Sequence, residues 1–182
     1  MAPVFHDPNK SGGAMIVAYG SYKPWSWHKM EGGDGSNYPE FSGRILDLKD
    51  GKAQAVEYFR ERVEPDLGNG FAIAVVPSHD PASPGLGLRA LAAALAQNDD
   101  RIDASGCLVR TDKIDKLARG GDRSINVHLG SIAVTSAPLV KGRDVMLLDD
   151  VTRTGNSLFA CRQLLLDAGA RSVQCVALGR TG

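Results

Sequence analysis

The sequence predicts an α/β protein: a doubly wound, mostly parallel sheet flanked by helices, with a small N-terminal hood. Three observations carry this expectation. Short continuous apolar runs at 71–76, 145–148 and 173–178 have the pattern of strands buried on both faces. Between them lie stretches with apolar residues at helical spacing, at 52–63, 86–97 and 158–168. Two of the runs end in polar loops rich in Gly, Pro, Ser, Thr and Asp that lead directly into a helical pattern. Alternation of this kind points to parallel strands joined by crossover helices.

Taken in order, residues 1–13 are polar and contain Gly and Pro, and read as a loose arm. Ala14 to Tyr19 reads as a short strand. Residues 20–42 hold both tryptophans, Trp25 and Trp27, with Gly32, Gly33 and Gly35. So long and irregular a connection points to a functional loop or a disordered one, and the two tryptophans to packing of the loop onto the body or to stacking on a flat acceptor. Gly43 to Leu48 is a short apolar element, and Val56, Phe59 and Val63 form one stripe of the next helix, ended by Pro65 and Gly68. After the strand at 71–76 and its loop, Leu88, Leu91 and Leu95 mark the buried side of the helix at 86–97. Gly106 to Arg110 and Leu129 to Val134 read as strands, separated by a polar, basic stretch from Thr111 to Asn126. Gly169 stands where a left-handed cap would close the helix at 158–168. The expected organisation is an arm and hood over 1–42 and a core domain over 43–182.

Length and charge narrow the classes. At 182 residues the chain is long enough for one domain with a substantial core. Its 21 basic and 21 acidic residues balance, which argues against general nucleic-acid binding. No apolar run approaches the ~20 residues that span a bilayer, and no secretory leader is apparent, so the expectation is a cytoplasmic protein without membrane association. Cys107, Cys161 and Cys175 are odd in number, widely spaced and set in apolar segments, the pattern of buried free thiols. A homo-oligomer is compatible with all of this, and the sequence leaves the oligomeric state open.

The most informative stretch is Val145 to Ser157, Val-Met-Leu-Leu-Asp-Asp-Val-Thr-Arg-Thr-Gly-Asn-Ser. An apolar strand runs into two carboxylates, then a turn of small hydroxylated residues around Gly155, then a helix from about Leu158. Ligands of open α/β sheets bind beyond the carboxyl ends of the strands. A helix starting there aims unpaired N–H groups and a positive dipole end at the same point, which favours a phosphate. Two acids beside a phosphate cradle match a ribose 5-phosphate, whose vicinal hydroxyls donate to carboxylates. Ordinary capping of a strand-to-helix turn needs one polar residue and does not require the whole set.

This stretch resembles the signature of the type I phosphoribosyltransferases: an apolar strand, an acid pair, three variable residues, then Thr-Gly-x-Thr or Thr-Gly-x-Ser. The resemblance implies that Asp149 and Asp150 hold the ribose hydroxyls of phosphoribosyl pyrophosphate, and a Mg2+ ion directly or through those hydroxyls or water. It implies that Thr154, Gly155, Asn156 and Ser157, with Thr152 and Arg153 in the same loop, hold the 5-phosphate. Ser78, His79 and Asp80 fall where the family's loop binds pyrophosphate through backbone N–H groups. Two readings of His79 stand, a catalytic acid and a surface histidine without a mechanistic role. Lys113, Lys116, Arg119 and Arg123 are candidates for a basic lid over the pyrophosphate, and a solvated basic loop is the alternative.

Beyond the signature the segment order resembles the ComF-like group of competence-associated, amidophosphoribosyltransferase-like proteins. Arg44 to Lys49 with Gly51, similar to that group's Leu-Lys-x-x-Gly element, Val75 to His79, and Arg123-x-x-Asn126 followed by Gly130 carry that resemblance. The cysteine-rich zinc segment usual at the N-terminus of that group is missing here. Hypoxanthine-guanine phosphoribosyltransferases place an Asp immediately before the Thr-Gly as a proton-transfer group. Arg153 takes that place here, and a guanidinium cannot act as a base, which argues against a 6-oxopurine acceptor. Arg153 would instead meet an anionic acceptor, a phosphate or solvent.

The functional expectation is therefore a phosphoribosyltransferase of nucleotide metabolism that uses phosphoribosyl pyrophosphate and Mg2+ and acts on an unidentified small-molecule acceptor with release of pyrophosphate. The alternative is a regulator or effector that binds phosphoribosyl pyrophosphate or nucleotides on the same scaffold without turnover. Hydrolysis with water as the acceptor is a third use of the same pocket.

Overall fold

A computed structural model of the chain describes residues 4–114 and 124–182. Five parallel strands form the main sheet: β1 (Ile16–Ser21), β2 (Ala72–Val75), β3 (Ile102–Asp103), β6 (Asp144–Thr152) and β7 (Ser172–Arg180). Their order across the sheet is β1-β7-β6-β2-β3. A separate antiparallel ribbon pairs β4 (Leu108–Arg110) with β5 (Ile132–Val134). The described residues also form six α-helices, α1 (Trp25–Met30), α2 (Glu40–Lys49), α3 (Ala53–Val63), α4 (Leu86–Ala96), α5 (Ile125–Ser131) and α6 (Asn156–Asp167), and short 3-10 turns at Glu64–Asp66 and Ala137–Leu139. The expected parallel sheet flanked by helices is the architecture observed.

Strand periodicity of two sorts the core onto two faces. Met146 and Leu148 of β6, with Val176 and Leu178 of β7, pack with Ile45, Phe59, Leu91 and Leu95 from α2, α3 and α4. Val145 and Leu147, with Val173, Cys175 and Ala177, pack on the other face with Leu158, Cys161 and Leu165 of α6. All three cysteines are free and buried, as expected, and burial raises each thiol above its ordinary pKa.

The chain enters the sheet at its β1 edge, and strand order reverses beside β2. From β2 the chain moves outward to β3, and from β6 it moves the opposite way to β7. The carboxyl ends of β2 and β6 therefore flank the topological switch point, where open α/β sheets place their ligands. Val75 is in register with Leu148, and Val76 N–H donates to Leu148 O at 2.9 Å, so the loop after β2 leaves the sheet level with Asp149.

Several elements differ from the sequence expectation. Part of the stretch 1–42 belongs to the main sheet: β1 pairs along β7 from Ile16 opposite Cys175 to Ser21 opposite Arg180. The connection 20–42 is not structureless, because it contains α1 and the start of α2. Gly43 to Leu48 lies inside α2, a helix whose buried residues are Ser42, Ile45 and Leu48. Ile125–Ser131 is a helix, and only Ile132–Val134 of the run expected as a strand is extended. β6 continues beyond Leu148 through both acids to Thr152, because β7 offers pairing partners as far as Arg180. α6 accordingly begins at Asn156, two residues before the first residue of its apolar stripe.

Gly87 sets how closely α4 meets α2. A Cβ there would lie 1.7 Å from the carbonyl oxygen of Leu48, the residue before Lys49. Gly87→Ala should therefore push α2 from α4 and destabilise the fold by about 1–3 kcal/mol. Thermal unfolding followed by circular dichroism checks this; an unchanged Tm would show that the two helices do not need that contact.

Candidate functional site

The signature strand puts its two acids on opposite faces. Residues 149 and 150 are neighbours in β6, so their side chains diverge. Asp149 follows Val145 and Leu147 towards α6, where Ser157 Oγ donates to Asp149 Oδ2 at 3.2 Å. Asp150 follows Met146 and Leu148 towards α2, where Lys49 Nζ lies 3.6 Å from Asp150 Oδ2. Each acid also folds back on the backbone: Asp150 N–H donates to Asp149 Oδ1 at 2.9 Å, and Val151 N–H to Asp150 Oδ1 at 2.6 Å.

Asp149 is buried, and Asp150 is half-buried. Burial raises the Asp149 carboxyl well above the usual carboxylate range, and the charge on Asp150 raises it further. The Asp150 N–H, Lys49 and Ser157 only partly offset this. At the amino end of the same strand Asp144 behaves oppositely. Arg171 Nε donates to Asp144 Oδ1 at 3.0 Å and its second terminal nitrogen to Oδ2 at 2.6 Å, and Ser172 Oγ donates to Oδ1 at 2.7 Å. The Arg171 guanidinium holds Asp144 below the usual range. One strand thus carries a bidentately paired acid at one end and an incompletely compensated one at the other.

The loop after the acids turns at Gly155, which caps α6 with φ 85° and ψ −1°. A Cβ there would suffer both the left-handed backbone and contacts of 2.8 Å with Ile16 and the Phe159 ring. Gly155, the residue before α6, offers no side-chain cap. The predicted phosphate-loop residues do not share one surface. Ser157 faces Asp149. Thr152, Arg153, Thr154 and Gly155 line a cavity of about 280 Å³ with Met15, Ile16, Phe159 and Arg180. Asn156 N–H lies 3.4 Å from Thr154 Oγ1.

In the loop after β2 the side chains serve the loop itself. Ser78 Oγ lies 2.7 Å from Asp80 O and 2.6 Å from Ser83 O, and Asp80 Oδ1 accepts the Ala82 N–H at 3.0 Å. Asp80 Oδ2 pairs with Lys113 at 2.6 Å, and Ile114 N–H donates to His79 O at 3.0 Å. The Lys113 ammonium keeps Asp80 below its ordinary value. The start of the basic stretch therefore docks on the loop; Lys116, Arg119 and Arg123 lie outside the described residues.

Three groups near these elements were not singled out from sequence. Lys49 reaches Asp150 and also lies 5.5 Å from the Tyr22 ring centre. Buried Arg110 braces the β2 loop, donating from Nε to Ser78 O at 2.9 Å and from a terminal nitrogen to Ser131 Oγ at 2.6 Å. Arg180 lines the same cavity as Thr152, Arg153 and Thr154. Lys49 had a sequence signal in the Leu-Lys-x-x-Gly element; the other two had none. The hood is a small aromatic cluster: Trp25, His28 and Tyr38 meet at ring separations of 5.0–5.6 Å. His28 Nε2 lies 2.9 Å from both Asp34 O and Asn37 Oδ1. Trp27 projects to the signature loop, with the Arg153 guanidinium 5.5 Å from its ring centre.

Among the described residues no three or more His, Cys, Asp or Glu side chains gather into a metal cage. Two carboxylates nonetheless fit Mg2+, which retains waters and takes one or two carboxylates alongside substrate oxygens. Also among the described residues, no helix is long and apolar enough to cross a membrane.

No family model matches this sequence, and no curated protein matches it. Solved structures do align with the fold. A phosphoribosylpyrophosphate synthetase from Mycobacterium smegmatis aligns over 94% of this chain at 18% identity with a TM-score of 0.38. The match covers 43% of the synthetase, so this chain spans less than half its length. A hypoxanthine phosphoribosyltransferase from Staphylococcus aureus aligns over 78% of this chain and 74% of its own, at 11% identity and a TM-score of 0.35. A purine phosphoribosyltransferase from Pyrococcus horikoshii Ot3 aligns over 89% and 87%, at 16% identity and a TM-score of 0.35.

Two measurements probe the acid pair. A carboxyl raised in the folded state contributes stability that is present below its unfolded pKa and lost as pH rises through the folded value. Asp149→Asn should therefore melt above the parent at pH 8, by about 2–4 °C for each kcal/mol of removed cost, and equal it near pH 4. Asp144→Asn should show the opposite sign, losing stability at pH 8, with the difference shrinking as acid is added. Equal Tm differences at both pH values would refute the assignment. Lys49→Met removes a charge that lowers the Asp149 pKa, so carboxyl-carbon NMR titration should find Asp149 ionising at higher pH in that variant.

Proposed function

We propose that the chain is a phosphoribosyltransferase that binds phosphoribosyl pyrophosphate with Mg2+ and passes the phosphoribosyl group to a small-molecule acceptor, releasing pyrophosphate. The observation that carries this reading is the placement of Asp149, Asp150 and the start of α6 around the carboxyl end of β6, beside the topological switch point. Ribose hydroxyls would donate to the two carboxylates, and the 5-phosphate would sit on the amides that open α6. The incomplete compensation of Asp149 supports this, because hydroxyl donors or a cation would favour its ionised form.

Transfer passes through a ribosyl centre with oxocarbenium character. The acids hold the ring and place negative charge near the developing positive charge. The phosphate cradle supplies binding and orientation away from the reacting carbon. Mg2+, held by Asp149 and Asp150 through water or the ribose hydroxyls, would supply charge neutralisation on the pyrophosphate. With the Ser78 and Asp80 side chains engaged within the loop, its backbone is the part offered to the pyrophosphate. Lys113, docked on Asp80, anchors the basic stretch that would close over it.

Within this class the segment order points to the ComF-like group. The reading is supported by Lys49 of the Leu-Lys-x-x-Gly element, which meets the second acid. Arg153, 5.5 Å from the Trp27 ring centre, suits an acceptor that carries negative charge and argues against a 6-oxopurine.

Isothermal titration of the full chain with phosphoribosyl pyrophosphate and Mg2+ tests the reading. Binding is expected, with at least a tenfold loss in the Asp149→Asn, Asp150→Asn double variant. Undiminished binding in that variant would remove the basis for the assignment. Binding without pyrophosphate release, whatever acceptor is offered, would assign the chain instead to the non-catalytic regulators on this scaffold.

A further inference from the structure

Among the described residues, Lys49 is the single basic side chain within ion-pair distance of either member of the acid pair, with Nζ 3.6 Å from Asp150 Oδ2. That separation suits a charge partner and is too long for a hydrogen bond, so Lys49 offsets the charge of Asp150 without occupying a lone pair of Oδ2. The other oxygen, Oδ1, accepts the Val151 N–H. Burial first and the Asp150 charge second push the Asp149 carboxyl up, and Lys49 opposes them, so its charge is felt at both acids. The place of the ammonium is built into the fold. Lys49 is the last residue of α2, and the carbonyl before it, Leu48 O, is held against α4 at Gly87. The ammonium also lies 5.5 Å from the Tyr22 ring centre, a cation–π contact that limits where the side chain can swing. The Lys49 side chain is 42% exposed, and ion pairs exposed to that degree add little to stability.

A sugar phosphate is an anion, and two carboxylates repel it. A site that receives one needs positive charge close to its acids, fixed in the chain or carried by a metal ion. We propose that Lys49 is a positioning residue of the sugar-phosphate site: its ammonium is the resident counter-charge of the acid pair, holds Asp150 with Oδ2 open to a ribose hydroxyl, and lets an anionic sugar phosphate enter without a divalent ion on the carboxylates. This inference rests on the site proposed above and adds the source of its charge balance. With both acids ionised, Lys49 leaves one net negative charge in place of two, so a divalent ion gains less there than it would on the bare pair. Removing the ammonium should therefore weaken the sugar phosphate and strengthen the metal ion, a pair of opposite changes that a lysine with a purely structural role would not produce.

The test uses the full chain with ribose 5-phosphate and with Mn2+, and neither probe requires turnover. Isothermal calorimetry in EDTA should find ribose 5-phosphate bound by the parent, about fivefold or more weaker in Lys49→Met, and close to parental in Lys49→Arg. Mg2+ in place of EDTA should restore part of the loss in Lys49→Met, because the metal ion then supplies the missing charge. Electron paramagnetic resonance of Mn2+ added to the ligand-free chain should show tighter binding in Lys49→Met than in the parent. A Tm near the parental value separates these changes from loss of fold, and Lys49→Gln replaces Lys49→Met if the latter does not fold. Ribose 5-phosphate binding that requires Mg2+ in the parent, or that is equal in parent and Lys49→Met, would overturn the proposal, as would a Mn2+ affinity unchanged by the substitution. Absence of ribose 5-phosphate binding in the parent, with and without Mg2+, would count against the proposed function; the Mn2+ comparison would still decide whether Lys49 is the counter-charge of the acid pair.

Discussion

Two adjacent carboxylates at the carboxyl end of a buried central strand are the constraint around which this protein is arranged. Removing a carboxylate from water is costly unless the charge is paired or the proton retained. Neighbouring strand positions face opposite ways, so the two acids meet different protein side chains. The fold answers with a different helix for each: α6 brings Ser157 to Asp149, and α2 brings Lys49 to Asp150. The second contact depends on the close approach of α2 and α4 at Gly87, where no side chain fits. Neither contact matches the bidentate guanidinium that settles Asp144 at the other end of the strand. Asp149 is consequently held short of full compensation, in a position where ligand hydroxyls would complete it.

The surrounding elements converge on the same edge for separate physical reasons. β2 pairs with β6, so its loop emerges level with the acids, and Arg110 braces that loop through the Ser78 carbonyl. β1 completes the other edge of the sheet and carries the chain into the hood, whose aromatic cluster is tied together by His28. Trp27 then meets Arg153, joining the hood to the signature loop. The left-handed turn at Gly155 lets β6 pass into α6 at a point where a Cβ would collide with Ile16 and Phe159.

Continuous apolar runs long enough for a single element were readable without a structure. Val145–Leu148, Val173–Leu178 and 71–76 proved to be strands, and 86–97 and 158–168 helices, because burial on two faces or on one stripe leaves a distinct periodicity. Short elements with mixed polarity were not. Trp25–Met30 is a helix of six residues held by aromatic and hydrogen-bond contacts with residues 34–38, partners that no local pattern announces. Ile125–Ser131 buries only His128 and Ser131, both polar, so it lacks an apolar stripe. The extension of β6 through Asp149 and Asp150 came from pairing with β7, a long-range contact that overrides the low strand preference of Asp.

The amino-acid sequence by itself determined the layered α/β class, the buried state of the three cysteines and the strand–acid pair–loop–helix order of residues 145–157, because each is written in local periodicity or in a contiguous motif. Only the tertiary structure decided that the two acids face different helices and that Lys49 answers Asp150. It also decided that Arg110 supports the β2 loop and that Arg180 shares a cavity with Arg153. The pairs Lys49 with Asp150, Arg110 with Ser78 and Arg153 with Arg180 are 101, 32 and 27 residues apart in the chain. Long charged side chains report their destination only when the backbone has folded, since their own chemistry is satisfied equally well by water.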